Sequence, residues 1–320
     1  MIARAPGKLM LAGEYAVLHG APALVMAVSR HAVVRARREG DRARELPPEV
    51  SATFAWALEE GWLKRAPSAG ELTIELAALA DDGGKKLGLG SSAAGCVAAL
   101  AWALAREGTT TLDRTRLALT ARAGHRRAQG GGSGVDVLAS ALGGVVRAHL
   151  PDGLDGRVEV GSRAWSAEIP WRVLWSGTPA RTSDMIAKVD VLRARDAGAF
   201  AGFVRAVTEA TETFDAALRA ADVPALVRSV TAHCDAMRAL GERAGAPIVT
   251  PELARLAAAI EPFGAAVKPS GAGGGDVSLL FAHDRGALDE ATRAASQEGF
   301  TVVDLEPDPH GVAVSLEDEA

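Results

Sequence analysis

The sequence predicts an α+β fold divided into two domains, and three observations carry that reading. Period-two apolar runs, the pattern of half-buried strands, gather in the first half of the chain around a few helices. Long helical stretches dominate the second half. Strands and helices do not alternate in the regular way that a doubly wound parallel sheet requires. At 320 residues, 48% of them hydrophobic, the chain can bury two ordinary cores. The Pro/Gly/Trp-rich stretch GSRAWSAEIPWRV separates the two patterns, so the boundary is placed near Glu168, with domains 1–168 and 169–320.

Along the chain, the first strand is expected at residues 9–11, entered through a turn at Pro6 and Gly7 and ended by Gly13 and Glu14, which break the apolar run. Alternating patterns place further strands at 32–38, 72–76, 144–150, 173–175, 277–281 and 301–305. Start and stop signals place helices at 49–64, 92–106, 112–129, 182–195, 200–221, 224–244 and 251–260. Between the helix ending at Gln129 and the strand near Gly144, a glycine loop presents Asp136 ahead of an apolar segment. The chain contains no internal repeat or low-complexity tail.

A net charge of −5 argues against a general nucleic-acid or acidic-membrane surface and leaves any anionic ligand to a few placed groups. Cys96 and Cys234 lie far apart and match no zinc spacing, and the seven histidines form no ligand cluster. A reduced, cytoplasmic protein without structural metal is expected. The N-terminal segment lacks the apolar core of a signal peptide, because Gly7, Lys8, Gly13 and Glu14 interrupt it. The uncharged run from Leu87 to Ala105 approaches the length of a membrane span, but it is built of Ala, Gly and Ser rather than Leu, Ile and Phe. The expected partner is a small molecule, with no nucleic acid and no membrane; monomer and homodimer are both open.

Only six lysines occur in a chain that otherwise uses arginine, and three of them adjoin glycine-rich turns. In KKLGLGSSAA, Gly88 and Gly90 let the backbone turn tightly, Ser91 or Ser92 is placed to cap the following helix, and the Ala-rich run lets that helix pack closely. Exposed N–H groups at such a helix start, with the positive end of the dipole, form an anion site, and Lys86 adds a full charge. Serine hydroxyls there suit Mg²⁺, an oxygen-seeking ion that bridges protein and phosphate. The segment lacks the Gly-Lys-Ser/Thr ending of a Walker A loop. It matches G-x-G-x-x-A at Gly88, Gly90 and Ala93, yet the polar DDGGKK separates it from the strand that a dinucleotide fold would need. A capped helix with no ligand is the simpler alternative.

Two other glycine stretches flank it in sequence. APGKLMLAGEYAVLHGAPAL carries Lys8 and reads on its own as a hairpin entry with a solvated lysine. VKPSGAGGGDVSLLFA has four glycines in five positions, an entropic cost that implies close approach of backbone to something, with Asp276 hydrogen-bonding the turn. In GHRRAQGGGSGVDV, Asp136 is either a helix cap or a catalytic carboxylate, and His125 with Arg122, Arg126 and Arg127 reads as a solvated helix face.

Taken in order, PGKLMLAGEYAVLHG, GLGSSAA, GSGVD and KPSGAGGGD resemble the motifs and catalytic segment of the GHMP kinases, from Pro6 to Asp276. The resemblance implies a ribosomal protein S5 domain 2-like N-terminal domain, a ferredoxin-like C-terminal domain, and ATP and acceptor in the cleft between them. Several features are most similar to the phosphomevalonate kinase branch: Lys86 two residues before the glycine turn, AGHRRAQGGGSGVD, SGAGGGD, and WSGTPARTSDM at residues 175–185. The His19-Gly20 pair instead resembles the mevalonate kinases. Those enzymes carry a magnesium-binding Glu where this chain has His125, a poor ligand for a hard cation.

The resemblance implies ATP and Mg²⁺ as cofactors, with ATP phosphates held by Lys86, Gly88, Gly90, Ser91, Ser92 and Ala93, and the metal by Ser91 and Ser92. It makes Lys8 and Asp136 the catalytic pair, lying side by side. Acceptor binding falls to Lys8, Ser133, Ser183, Thr182, Arg181, His125, Ser270, Gly271, Ala272 and Gly273. The face of Arg122, His125 and Arg126 is expected to offset acceptor phosphate charge. The implied activity is ATP-dependent phosphorylation of (R)-5-phosphomevalonate to the 5-diphosphate. Mevalonate kinase, diphosphomevalonate decarboxylase, a catalytically silent ligand sensor of the same fold and a dinucleotide-dependent oxidoreductase are the alternatives, in falling order.

Overall fold

A computed structural model describes residues 1–42, 44–154, 156–180 and 182–316. The strands are β1 (Ile2–Ala12), β2 (Ala23–Ala36), β3 (Leu72–Glu75), β4 (Val145–His149), β5 (Glu159–Arg163), β6 (Trp171–Trp175), β7 (Ala265–Pro269), β8 (Val277–Ala282), β9 (Thr301–Val303) and β10 (Ala313–Ser315). The helices are α1 (Pro48–Glu59), α2 (Ser91–Arg106), α3 (Arg114–Gln129), α4 (Val135–Leu142), α5 (Thr182–Arg195), α6 (Ala197–Ala220), α7 (Val223–Ala244), α8 (Pro251–Ile260) and α9 (Arg285–Gln297). One sheet has the order β10-β1-β2-β4-β5 with β3 on β2, and a second has the order β7-β8-β6-β9. This is the α+β class that the sequence predicts.

The chain divides into two compact units. The first is Met1–Leu9, Val25–Val146 and Glu306–Ala320, and the second is Met10–Leu24 and Arg147–Leu305. The sequence boundary near Glu168 is a single cut, whereas the compact units change over at Val146 and at three further points, so neither is one continuous stretch.

In the first unit, α2 explains the uncharged run. Every residue from Ala93 to Leu104 is buried, and the small side chains let the helix pack all round. No helix among the described residues is long and apolar enough to cross a membrane. In the second unit, α5, α6 and α7 share a core of Met185, Val189, Leu192, Phe203, Val207 and Met237, while β7, β8, α8 and α9 enclose Leu253, Leu256, Val267, Leu280 and Leu288.

All seven expected helices are present, and the differences have local causes. The turn expected at Pro6 and Gly7 is not there, because β1 runs straight through both. Pro6 is tolerated because pairing with β10 ends at Arg4, so no ladder partner awaits its missing N–H on that side. The helices α4 and α9 and the strands β5, β7 and β10 were not anticipated. Helix α9 is mostly polar and buries only Leu288, Ala291 and Ala295, a stripe too thin to register as periodicity. β10 has three residues and owes its conformation to pairing with β1 some 300 positions away, Ile2 opposite Ser315.

Candidate active site

In the first unit, the glycine turn and β1 are built against each other. The Lys8 N–H donates to the Leu89 carbonyl at 2.8 Å, and its Nζ donates to the Gly88 carbonyl at 2.9 Å. Gly90 has φ +73°, and a Cβ there would lie 3.0 Å from Lys8 Cγ, so glycine is required both by conformation and by the lysine stem. Neither serine caps α2 as expected: the cap is Gly90, left-handed and without a side-chain bond, and the helix already starts at Ser91. Its first-turn N–H groups therefore point outward uncapped, as an anion site requires. Leu87 and Leu89 are buried and anchor the turn. Lys86 is exposed, and among the described residues its ammonium has no hydrogen-bond or ion-pair partner.

Helix α3 carries the next layer. His125 is 2% exposed, with Nε2 3.0 Å from Ser92 Oγ and 3.2 Å from Gln129 Nε2, while its buried Nδ1 has no hydrogen-bond partner. Arg122 is 6% exposed and donates from Nε to the Ser133 carbonyl at 2.7 Å, and Arg126 does the same to Gly132 at 2.7 Å. The expected solvated face is therefore a clamp, since both arginines hold the glycine loop that leads into α4. Gly134 caps α4 and Asp136 lies in its first turn, so Asp136 is not the cap. Its Oδ1 accepts the Val137 N–H at 2.9 Å and the carboxylate is half-buried. The expected pairing of Lys8 with Asp136 is not made: Lys8 Nζ is on Gly88, and no ion pair joins the two among the described residues. Cys96 on α2 has its thiol pushed up to about 12, first by burial and then by the Glu49 and Asp136 charges, against a bond with Thr53; it stays a protonated core residue.

In the second unit the third glycine turn is fastened at both ends. Ser270 Oγ accepts the Met10 N–H at 2.8 Å and donates to the Met10 carbonyl at 3.2 Å, so its hydroxyl is fully used. Tyr15 Oη donates to the Ala272 carbonyl at 2.5 Å. Asp276 bonds the turn as expected. Its N–H donates to the Thr178 carbonyl at 2.8 Å and its Oδ1 accepts the Ala180 N–H at 2.9 Å, which ties the turn to the segment before α5. The close approach implied by the glycines is real, because a Cβ on Gly273 would collide with the Ile248 carbonyl. Thr182 and Ser183 are exposed at the start of α5. Arg181 lies outside the described residues.

Beneath that turn lies a buried charge cluster that the sequence reading missed. Lys268 is 0% exposed, ion-paired with Glu14 and also donating to the Pro269 carbonyl at 2.7 Å. Glu14 Oε2 is 2.8 Å from His233 Nε2, and Glu14 Oε1 accepts the Gly271 N–H at 3.3 Å. Burial pushes the Glu14 carboxyl up, but the Lys268 ammonium and His233 outweigh it and hold the group at about 2. Burial pushes His233 down, so its Nε2–H donates from a neutral ring. The available signal was a lone lysine inside the apolar AAVKPS: a charge there must be paired.

Among the described residues no three metal-ligating side chains form a cluster. The donor set in the first unit is instead oxygen-only and sparse: the Ser91 and Ser92 hydroxyls, and Asp136 on a helix packed against α2. That suits Mg²⁺, which keeps several waters and takes one or two protein oxygens beside phosphate, and it does not suit a dedicated zinc or calcium cage.

An uncapped helix start beside a glycine turn, two lysines and a carboxylate define a phosphate-handling site. Residues 55–144 match the GHMP kinases N terminal domain and residues 216–301 the GHMP kinases C terminal domain. Over 98% of both chains the sequence is 30% identical to a phosphomevalonate kinase from Streptomyces sp. (strain CL190), and over 86% of this chain and 90% of the other it is 29% identical to a mevalonate kinase from Archaeoglobus fulgidus. The fold matches Streptococcus pneumoniae phosphomevalonate kinase in complex with phosphomevalonate and AMPPNP at a TM-score of 0.80, 22% identity, and 96% and 99% coverage. The chain belongs to the GHMP kinase family, and it is a kinase with mevalonate-pathway relatives.

Proposed function

We propose that the enzyme transfers the γ-phosphoryl group of ATP to (R)-5-phosphomevalonate, giving 5-diphosphomevalonate and ADP, with nucleotide binding in 1–168 and acceptor binding shared with 169–320. The observation that carries this reading is the end-to-end likeness to a phosphomevalonate kinase, 30% over 98% of both chains. The unpartnered Lys86 beside the glycine turn supports it, as a free cation where a highly charged pair of substrates must be held.

Phosphoryl transfer is mostly positioning and charge stabilisation. The first-turn N–H groups of α2, the Gly88 to Ala93 backbone and Lys86 hold the triphosphate. Ser91, Ser92 and Asp136 are the oxygens that would hold Mg²⁺, which when bound neutralises phosphate charge. Lys8, released from the Gly88 carbonyl, steadies the transferring phosphoryl. An acceptor phosphate oxygen forms the new bond to the γ-phosphorus as the bond to the β–γ bridging oxygen breaks, and ADP leaves with that electron pair. Ser133, Thr182, Ser183, Arg181 and the third glycine turn hold the acceptor. His125 acts through Ser92, whose hydroxyl it orients.

The acceptor decides how much Asp136 matters. A hydroxyl must lose a proton as it attacks, whereas a phosphate monoester with a second pKa near 6 is largely dianionic at neutral pH. Asp136→Asn is therefore expected to reduce kcat by less than the ~10⁴ upper range of general-base catalysis, and a larger loss in steady-state assays would count against a phosphate acceptor. The direct test offers purified enzyme Mg-ATP with mevalonate, 5-phosphomevalonate or 5-diphosphomevalonate and measures ADP release. Turnover of 5-phosphomevalonate is expected; turnover of mevalonate alone, or of none of the three, overturns the reading.

A further inference from the structure

We propose that the buried cluster of Glu14, Lys268 and His233, together with Tyr15, is a positioning unit for the acceptor: it fixes the third glycine turn so that two backbone N–H groups present together to the acceptor's anionic group. None of its side chains need touch substrate.

Four features of the second unit support this. Lys268, Glu14 and His233 are each 2% exposed or less, and a fully buried ion pair is at best neutral for stability compared with apolar residues of the same shape. A role beyond holding the fold together is therefore worth seeking. Second, the cluster's bonds converge on one short stretch of backbone. Glu14 accepts the Gly271 N–H, Lys268 takes the Pro269 carbonyl, and Tyr15, itself left-handed at φ 58°, donates to the Ala272 carbonyl. Third, with those groups engaged, the N–H groups of Ala272 and Gly273 donate to no other group among the described residues. Successive free N–H groups in a glycine turn form an anion-binding nest. Fourth, the far end of the turn is tied through Asp276 to Thr178 and Ala180, in the segment that precedes Thr182 and Ser183. The cluster thus orients a turn continuous with the acceptor segment, while the residues proposed for the nucleotide lie in the first unit.

This inference rests on the proposed acceptor site, and its test is arranged to fail separately. Wild-type turnover of the candidate acceptors tests the reading above; the cluster is then tested as variant-to-wild-type ratios with whichever acceptor is turned over. The first variant is Glu14→Leu with Lys268→Met, which removes both charges together and the acceptor of the Gly271 N–H. Acceptor KM is expected to rise about ten- to hundredfold, the worth of misplacing hydrogen bonds to a charged group, with KM for ATP within about twofold. The second is Tyr15→Phe, which leaves the charges in place and loosens only the Ala272 carbonyl; acceptor KM should rise about three- to tenfold with Tm near wild type. A merely structural cluster would move Tm and leave the ratio of the two KM values unchanged. Equal changes in both KM values, or none in a folded variant, overturn the proposal, and if the double variant does not fold, Tyr15→Phe decides by the same criterion.

Discussion

Lys268→Met alone is expected to lower the unfolding free energy by about 3–5 kcal/mol, the range for breaking a buried ion pair by removing one partner. Met fills most of the lysine's volume, so the loss reports the carboxylate left behind rather than a cavity. Glu14 would keep only neutral His233 and the Gly271 N–H as partners, too little to replace a full opposite charge at 0–1% side-chain exposure. The pH dependence follows from the same group. In the wild type the Glu14 carboxyl is lowered from 4.5 to about 2, so its ionisation contributes stability that is complete above pH 4.5 and is lost as pH falls toward 2. In the variant the unpaired carboxylate gains by protonation, so the gap between the two proteins narrows as pH falls. Urea unfolding at neutral pH and near pH 3 measures both; a deficit under about 1 kcal/mol at pH 7 would show that the pair is not held as described.

Lys8→Met is expected to reduce kcat by about 10²–10³ with little change in Tm, the loss seen when one charge-stabilising donor is taken from a transition state. The stem of Lys8 lies against Gly90, and Met preserves that packing while removing the ammonium. The bond lost in the resting enzyme is one to the Gly88 carbonyl at the protein surface layer, which contributes little to folding. Steady-state kinetics with thermal melts separates the two effects. A kcat loss below tenfold would remove Lys8 from the phosphoryl-transfer step.

The candidate site was legible in sequence to different depths. The glycine turn of Gly88 and Gly90, the helix after it and Asp136 at the end of a glycine loop could be read because each depends on neighbours within a few residues. Their partners could not. That His125 would be buried against Ser92, and Arg122 folded back onto Ser133, depends on how α3 packs against α2 and α4, and a face of Arg and His reads as solvated until that packing is known. The cap of α2 was misread for a smaller reason: serine is the commoner cap, but a left-handed glycine takes that place when the chain must turn sharply past Lys8.

By itself the sequence determined the α+β class, the positions of the long helices, the phosphate-binding turn and the membership of a kinase family, because propensity, periodicity and motif spacing are properties of the chain read locally. Tertiary structure alone decided that Lys8 rests on Gly88 rather than on Asp136, that Glu14, Lys268 and His233 meet, and that the third glycine turn is held from below. Glu14 and Lys268 are 254 residues apart, and no local rule pairs charges at that distance. What brings them together is burial, which leaves a charge removed from water no stable place except beside its opposite.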